Sequence, residues 1–160
     1  MAILKIVEVG EELLRKKCRE VDEITPKIIT LLDDMKDTLI KANGVGLAAP
    51  QVGILRRIFL VDVGVDEKDH NIIEFINPKI VATEGHQEEV EGCLSVPGKY
   101  GVTSRPMTVT VEALDRNGNT FRYTGTGLYG RCLCHENDHL DGILYIDNAL
   151  EMLDPEDFED

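Results

Sequence analysis

His135-Glu136-Asn137-Asp138-His139 ends a helix-patterned stretch that runs from Gly127 to Asp141 and stops at Gly142. Residues four apart lie on one face of a helix, so His135 and His139 can grip a single cation while Glu136 sits beside them. A bound divalent ion lowers the pKa of water from about 15.7 towards about 7, and an adjacent carboxylate can take the proton released. The chain has only 4 histidines, and two of them fall here. That concentration favours a metal site over an exposed charged helix with two chance imidazoles.

Two helical histidines leave the site incomplete, so the third ligand sets the class. A third His six residues after the second is absent, because Tyr145 stands there. The only later Glu residues are Glu151, Glu156 and Glu159, in an acidic tail. Cys132 shares the helix face with His135 and His139, at about 0°, 300° and 340° for ~100° per residue. It nevertheless lies about 10 Å along the axis from His139, too far for ligand bonds of ~2.3 Å. Cys134 points to the opposite side, at about 200°. Both read as packing residues. Cys93 is the best remaining candidate, in the loop Glu91-Gly92-Cys93-Leu94-Ser95-Val96-Pro97, whose Gly and Pro mark a fixed turn.

Outward from these segments the pattern is α+β. A helix spans about Thr25 to Asn43, capped by Thr25 and started by Pro26, with Ile28, Leu32, Met35 and Leu39 as its apolar stripe. Strands follow at Arg57 to Val63 and at Asn71 to Thr83, the latter bent at Pro78. Residues 107–124 read as a hairpin turning at Asp115 to Asn119. The first residues alternate like a strand, and acidic residues crowd the last ten positions, which read as a frayed end. Residues 1–160 form one expected domain, with an acidic tail at about 151–160.

The charge of −13, from 17 Lys+Arg against 30 Asp+Glu, argues against nucleic-acid binding through a basic surface. No apolar run reaches the ~18 residues a membrane span needs. The start lacks a basic segment followed by an apolar one, so the expectation is a cytoplasmic protein with free rather than disulfide-bonded cysteines. Cys18 receives no role, and His70 and His86 read as surface residues.

A third segment, Gly44-Val45-Gly46-Leu47-Ala48-Ala49-Pro50-Gln51, combines small residues that let a backbone approach closely with an amide donor at Gln51. Taken alone, it reads equally as a helix cap and tight turn. Together, the GxGLAAxQ, EGCLS and HExxH stretches, in this order and over nearly the whole chain, resemble the peptide deformylase family. The resemblance implies antiparallel sheets around a central metal-bearing helix. It also implies a bacterial enzyme of protein biosynthesis that removes the N-formyl group from the initiator methionine of nascent peptides and releases formate.

On that resemblance Cys93, His135 and His139 hold one divalent ion, with Fe²⁺ the usual metal and Zn²⁺, Ni²⁺ or Co²⁺ able to substitute. Glu136 moves the proton, and Gln51 with the backbone N–H of Leu94 holds the oxyanion. The peptide lies extended along Val45-Gly46 and the residues after Pro97. Its methionine side chain enters a pocket flanked by Gly92, Leu128, Arg131, Cys132 and His135. Cys134, Tyr100 and Arg131 depart from residues common among relatives, which bears on substrate preference. Some relatives carry a basic C-terminal extension that contacts the ribosome. This tail is acidic, so ribosome proximity is expected without such an anchor. Two other readings remain, a metallopeptidase using Glu151 as third ligand and a non-catalytic metal-binding module.

Overall fold

The computed structural model describes residues 2–64 and 70–154. Helix α1 spans Pro26–Ala42. The Thr25 side chain accepts a hydrogen bond from Ile28 N–H at 3.4 Å, and Asn43 closes the helix in the left-handed region at φ 56°. Strands β1 (Gly46–Ala48), β2 (Ile58–Asp62) and β3 (Ile72–Glu84) follow. After them come β4 (Gln87–Cys93), β5 (Val96–Arg105), β6 (Thr108–Leu114) and β7 (Thr120–Thr126). Helix α2 (Leu128–Leu140) and a short β8 (Glu151–Leu153) complete the order.

Five strands form one sheet in the order β1-β2-β3-β6-β7, and β4-β5-β8 form a second, with every pairing antiparallel. All five residues of β2 are buried, because both faces of the larger sheet are covered there. Ile58 and Leu60 pack with Leu32, Met35 and Leu39 of α1. Phe59 and Val61 pack with Cys132, Leu133 and Cys134 of α2. Alternation along an extended strand sends successive side chains to opposite faces, so one strand serves two cores. Helix α2 sits between the larger sheet and the β4–β5 ribbon. Its close seat requires Gly130, where a Cβ would lie 2.7 Å from Met107 O.

The expected α1, the β6–β7 hairpin and α2 are all present. The Pro78 bend is an irregularity in the β3–β6 register, with Asn77 in the left-handed region at φ 51°. Three expectations need correction. Residues 2–8 form no strand, although Val7 N–H and Val9 N–H donate to Gln51 O and Ser95 O. The 91–97 segment is no loop but the tip of a ribbon, with Cys93 ending β4 and Leu94-Ser95 forming the turn. The frayed end was expected to include Glu151 to Leu153, which instead pair with Val102 to Tyr100 of β5. Residues 155–160 lie outside the described residues. No helix among the described residues is long and apolar enough to cross a membrane.

Candidate metal centre

Helix α2 and the β4 tip bring three ligand atoms together. His135 Nε2 and His139 Nε2 are 3.2 Å apart, Cys93 Sγ is 3.4 Å from His139 Nε2, and all three atoms lie within 4.8 Å of one another. His135 Nδ1 bonds the carboxylate of Glu91, which leaves Nε2 with its lone pair facing the cluster. Arg105 holds Glu91 in turn, from Nη2 at 2.9 Å, and Thr103 Oγ1 donates to it at 2.5 Å. Burial alone would raise the Glu91 pKa, but His135 and Arg105 bring it down to about 2.

Three lone-pair donors this close repel one another unless a cation or proton lies between them. The two imidazoles show the conflict. Burial would depress His135, yet Glu136, Cys93 and Glu91 outweigh burial and hold its pKa well above the usual range. Burial and the neighbouring His135 push His139 well below that range. A soft sulfur and two imidazole nitrogens on converging vectors fit a tetrahedral divalent ion with one position left open.

Glu136 lies one residue beyond His135 and is 3% exposed. Its Oε1 has no hydrogen-bond partner among the described residues. Burial, with the charge of Glu91 adding to it, pushes its pKa up to about 7. The Gln51 amide has one orientation: Oε1 accepts from Ala48 N–H at 2.9 Å, while Nε2 donates to Ser95 Oγ at 3.1 Å and faces Cys93 Sγ at 3.6 Å. Its donor end therefore points at the cluster. Ser95 N–H also donates to Cys93 Sγ, at 3.4 Å.

These groups line an open cleft of about 490 Å³. Val45, Gly46, Gln51, Gly92, Cys93, Leu94, Leu128, Arg131, Cys132, His135 and Glu136 all border it. His139 lies behind them, 1% exposed. At Gly46 a Cβ would come within 2.6 Å of Glu136 Oε2 and 2.7 Å of Cys132 Sγ, so only glycine lets β1 pass this close to the carboxylate. Cys134 is buried in the same core cluster as Leu133 and does not border the cleft. Glu151 is exposed in β8 and stands outside the ligand cluster, which leaves the metallopeptidase reading without its third ligand.

Reading the sequence alone misses the supports of the site. Glu91 opens the EGCLS stretch, yet the motif alone assigns it no role. Nothing in the spacing announces Arg105, which also bonds Asp138 of α2 at 2.7 Å, or Tyr145, whose ring stacks on His135 with centroids 6.0 Å apart.

A family model described as polypeptide deformylase matches residues 3–154. The chain belongs to the peptide deformylase family. Members of the family are hydrolases that remove the N-formyl group from nascent peptides. The peptide deformylase of Desulfitobacterium hafniense is 54% identical over 149 residues, covering 93% of this chain and 96% of that one. That of Caldicellulosiruptor bescii is 48% identical over 159 residues, covering 99% and 93%. Among solved structures, a peptide deformylase from Legionella pneumophila superposes with a TM-score of 0.87 at 45% identity, over 96% of this chain and 88% of that one. A Synechococcus elongatus peptide deformylase in complex with actinonin gives 0.88 at 37% identity, over 93% and 82%. The deformylase fold of antiparallel sheets around a central helix is thus the fold of this chain, and a non-catalytic module is not favoured.

Proposed function

We propose that residues 1–160 form one catalytic domain that releases formate from N-formylmethionyl nascent peptides in the cytoplasm. The observation that carries this reading is the convergence of Cys93 Sγ, His135 Nε2 and His139 Nε2 within 4.8 Å beside a buried carboxylate. These three residues would hold one divalent ion, natively Fe²⁺, with Zn²⁺, Ni²⁺ or Co²⁺ able to replace it in an N₂S set. When bound, the ion supplies a water of lowered pKa and a positive charge for the formyl oxygen.

The chain's own residues do the rest. Glu136, with its pKa near 7, accepts the proton of the attacking water and later delivers it to the leaving amine nitrogen. Gln51 Nε2 and the Leu94 N–H donate to the formyl oxygen as it becomes an oxyanion. The peptide enters extended along the edge of β1, which ends the larger sheet, with Gly98 and Lys99 bordering the opposite side of the cleft. Val45 and Gly46 meet its backbone on one side, and the strand after Pro97 meets it on the other. Its first side chain fills the space between Gly92, Leu128, Arg131, Cys132 and His135. The acidic C-terminus argues that any approach to the polyanionic ribosome does not depend on tail charge.

The test is formate release from formyl-Met-Ala-Ser by protein prepared without oxygen, with metal analysis of the same sample. Formate together with Met-Ala-Ser is the expected result. Cleavage of an internal peptide bond, or no formate from protein carrying one equivalent of iron, would overturn the reading.

A further inference from the structure

The wall of the first-side-chain pocket holds a cation that the thioether of methionine does not need. Arg131 lies one helical turn before His135 and borders the cleft. Its Nη1 donates to Gln87 Oε1 at 3.1 Å. Gln87 cannot turn, because Nε2 donates to Pro106 O at 3.0 Å and to Gly127 O at 2.9 Å. At 6% exposure this amide is a fixed bracket, and all its hydrogen-bonding capacity on the donor side is used. The bracket holds one arm of a planar guanidinium that carries five N–H donors. Among the described residues no carboxylate forms an ion pair with Arg131.

A cation secured by a neutral acceptor on a partly enclosed wall retains unused donor capacity. Packing along a thioether uses only the flat apolar character of the group. An oxygen on the sulfur would accept a charge-assisted hydrogen bond from it. We propose that Arg131 is a specificity-determining residue that admits N-formyl peptides whose first residue is methionine sulfoxide. The hydrolysis is unchanged, and the sulfoxide passes through it intact. The guanidinium is tethered by one arm to a fixed amide while sulfoxide sulfur is a stereocentre, so the two epimers present their oxygen to it differently. This inference rests on the deformylase reading of the cleft and on the first side chain occupying this pocket.

The experiment measures kcat/KM for four peptides: formyl-Met-Ala-Ser, the formyl-norleucine analogue as an apolar isostere, and the two separated formyl-methionine sulfoxide epimers. Failure of the wild-type protein to release formate from any of them would overturn the deformylase reading itself. Release from the first two alone, with both sulfoxides more than about a thousandfold slower, would overturn only the role of Arg131. The expected result is one epimer within about tenfold of the norleucine peptide. In R131L the ratio of that epimer to norleucine should fall roughly ten- to hundredfold, the range for one hydrogen bond to a charged group. R131K keeps the charge without the fork, and should narrow the difference between epimers while losing less of the sulfoxide rate. The ratio cancels any general loss of activity, and R131K carries the test if R131L does not fold. An unchanged ratio in a folded R131L, or an unchanged epimer preference in R131K, would overturn the proposal.

Discussion

Glu91 and His135 share a buried hydrogen bond, carboxylate to Nδ1, that ties the end of β4 to helix α2 beside the candidate metal centre. It fixes which ring nitrogen faces Cys93 and His139. Partners of this kind typically change metal affinity 10–100-fold when removed, roughly the effect expected for Glu91→Gln. Competition against a graded chelator measures it. The same residue predicts a pH window. Its folded pKa of about 2 lies below the ordinary 4.5, so its stabilisation is present above 4.5 and is lost as pH falls towards 2. Glu91→Gln should therefore flatten the acid limb of the stability curve between those values, and an acid limb identical to wild type would contradict the assignment.

Replacing Glu136 with Gln preserves shape but removes the proton acceptor. Bound metal should remain at one equivalent while kcat falls about 10²–10⁴-fold. The space around Oε1 is already formed, so the substitution adds no bulk. A variant keeping more than about a tenth of wild-type kcat would place the base elsewhere.

Gln51 makes separate demands on its two amide ends. Gln51→Glu keeps the acceptor for Ala48 N–H but loses the donor aimed at the oxyanion, whereas Gln51→Leu loses both. Both should lower kcat by roughly 10²–10³ with little change in KM. The leucine variant should also melt at lower temperature, because it leaves Ala48 N–H without its acceptor. A change confined to KM would mean that Gln51 positions the peptide instead.

The C-terminal residues test a place where pattern and structure part. Glu151, Met152 and Leu153 carry too little periodic apolar character to declare a strand, yet they pair with β5 beside Gly101, whose missing side chain leaves room for Met152 and Tyr145. A chain ended after Leu150 should melt several degrees below one ended after Leu153, as read by thermal denaturation. Equal melting temperatures would show that β8 adds nothing.

The same contrast explains how much was legible. Helix α1 announces itself through a Thr-Pro start, a four-three-four apolar spacing and an Asn-Gly stop, all local signals. The β4–β5 ribbon does not, because Glu88, Glu89 and Lys99 face solvent and Gly98 and Gly101 interrupt the alternation. Its stability comes from pairing across the turn and from packing on α2, which no window along the chain contains. The candidate trio of Cys93, His135 and His139 was legible because Cys93 was the best remaining partner for two helical histidines. Glu91, Arg105 and Asp138 were not, since any acidic chain offers many carboxylates and only the fold selects one.

Cysteine chemistry gives the last prediction. Burial pushes the thiols of Cys18 and Cys134 up to about 11 and that of Cys132 well above its ordinary range. Those three are therefore almost wholly protonated at neutral pH, and a protonated thiol is a poor target for peroxide. Cys93 is the most exposed residue of the four, and its sulfur receives N–H groups from Ser95 at 3.4 Å and Gln51 at 3.6 Å. A metal-bound thiolate stays deprotonated, so a peroxide pulse should add oxygen at Cys93 first. Iron-loaded protein should lose activity faster than zinc-loaded protein, because Zn²⁺ has no redox chemistry of its own. Peptide mass spectrometry of both forms, alongside residual activity, reads the outcome. Oxygen added mainly at Cys18, Cys132 or Cys134 in inactivated iron protein would refute damage at Cys93. Equal sensitivity of the two metal forms would remove iron from the cause and leave the thiolate alone responsible.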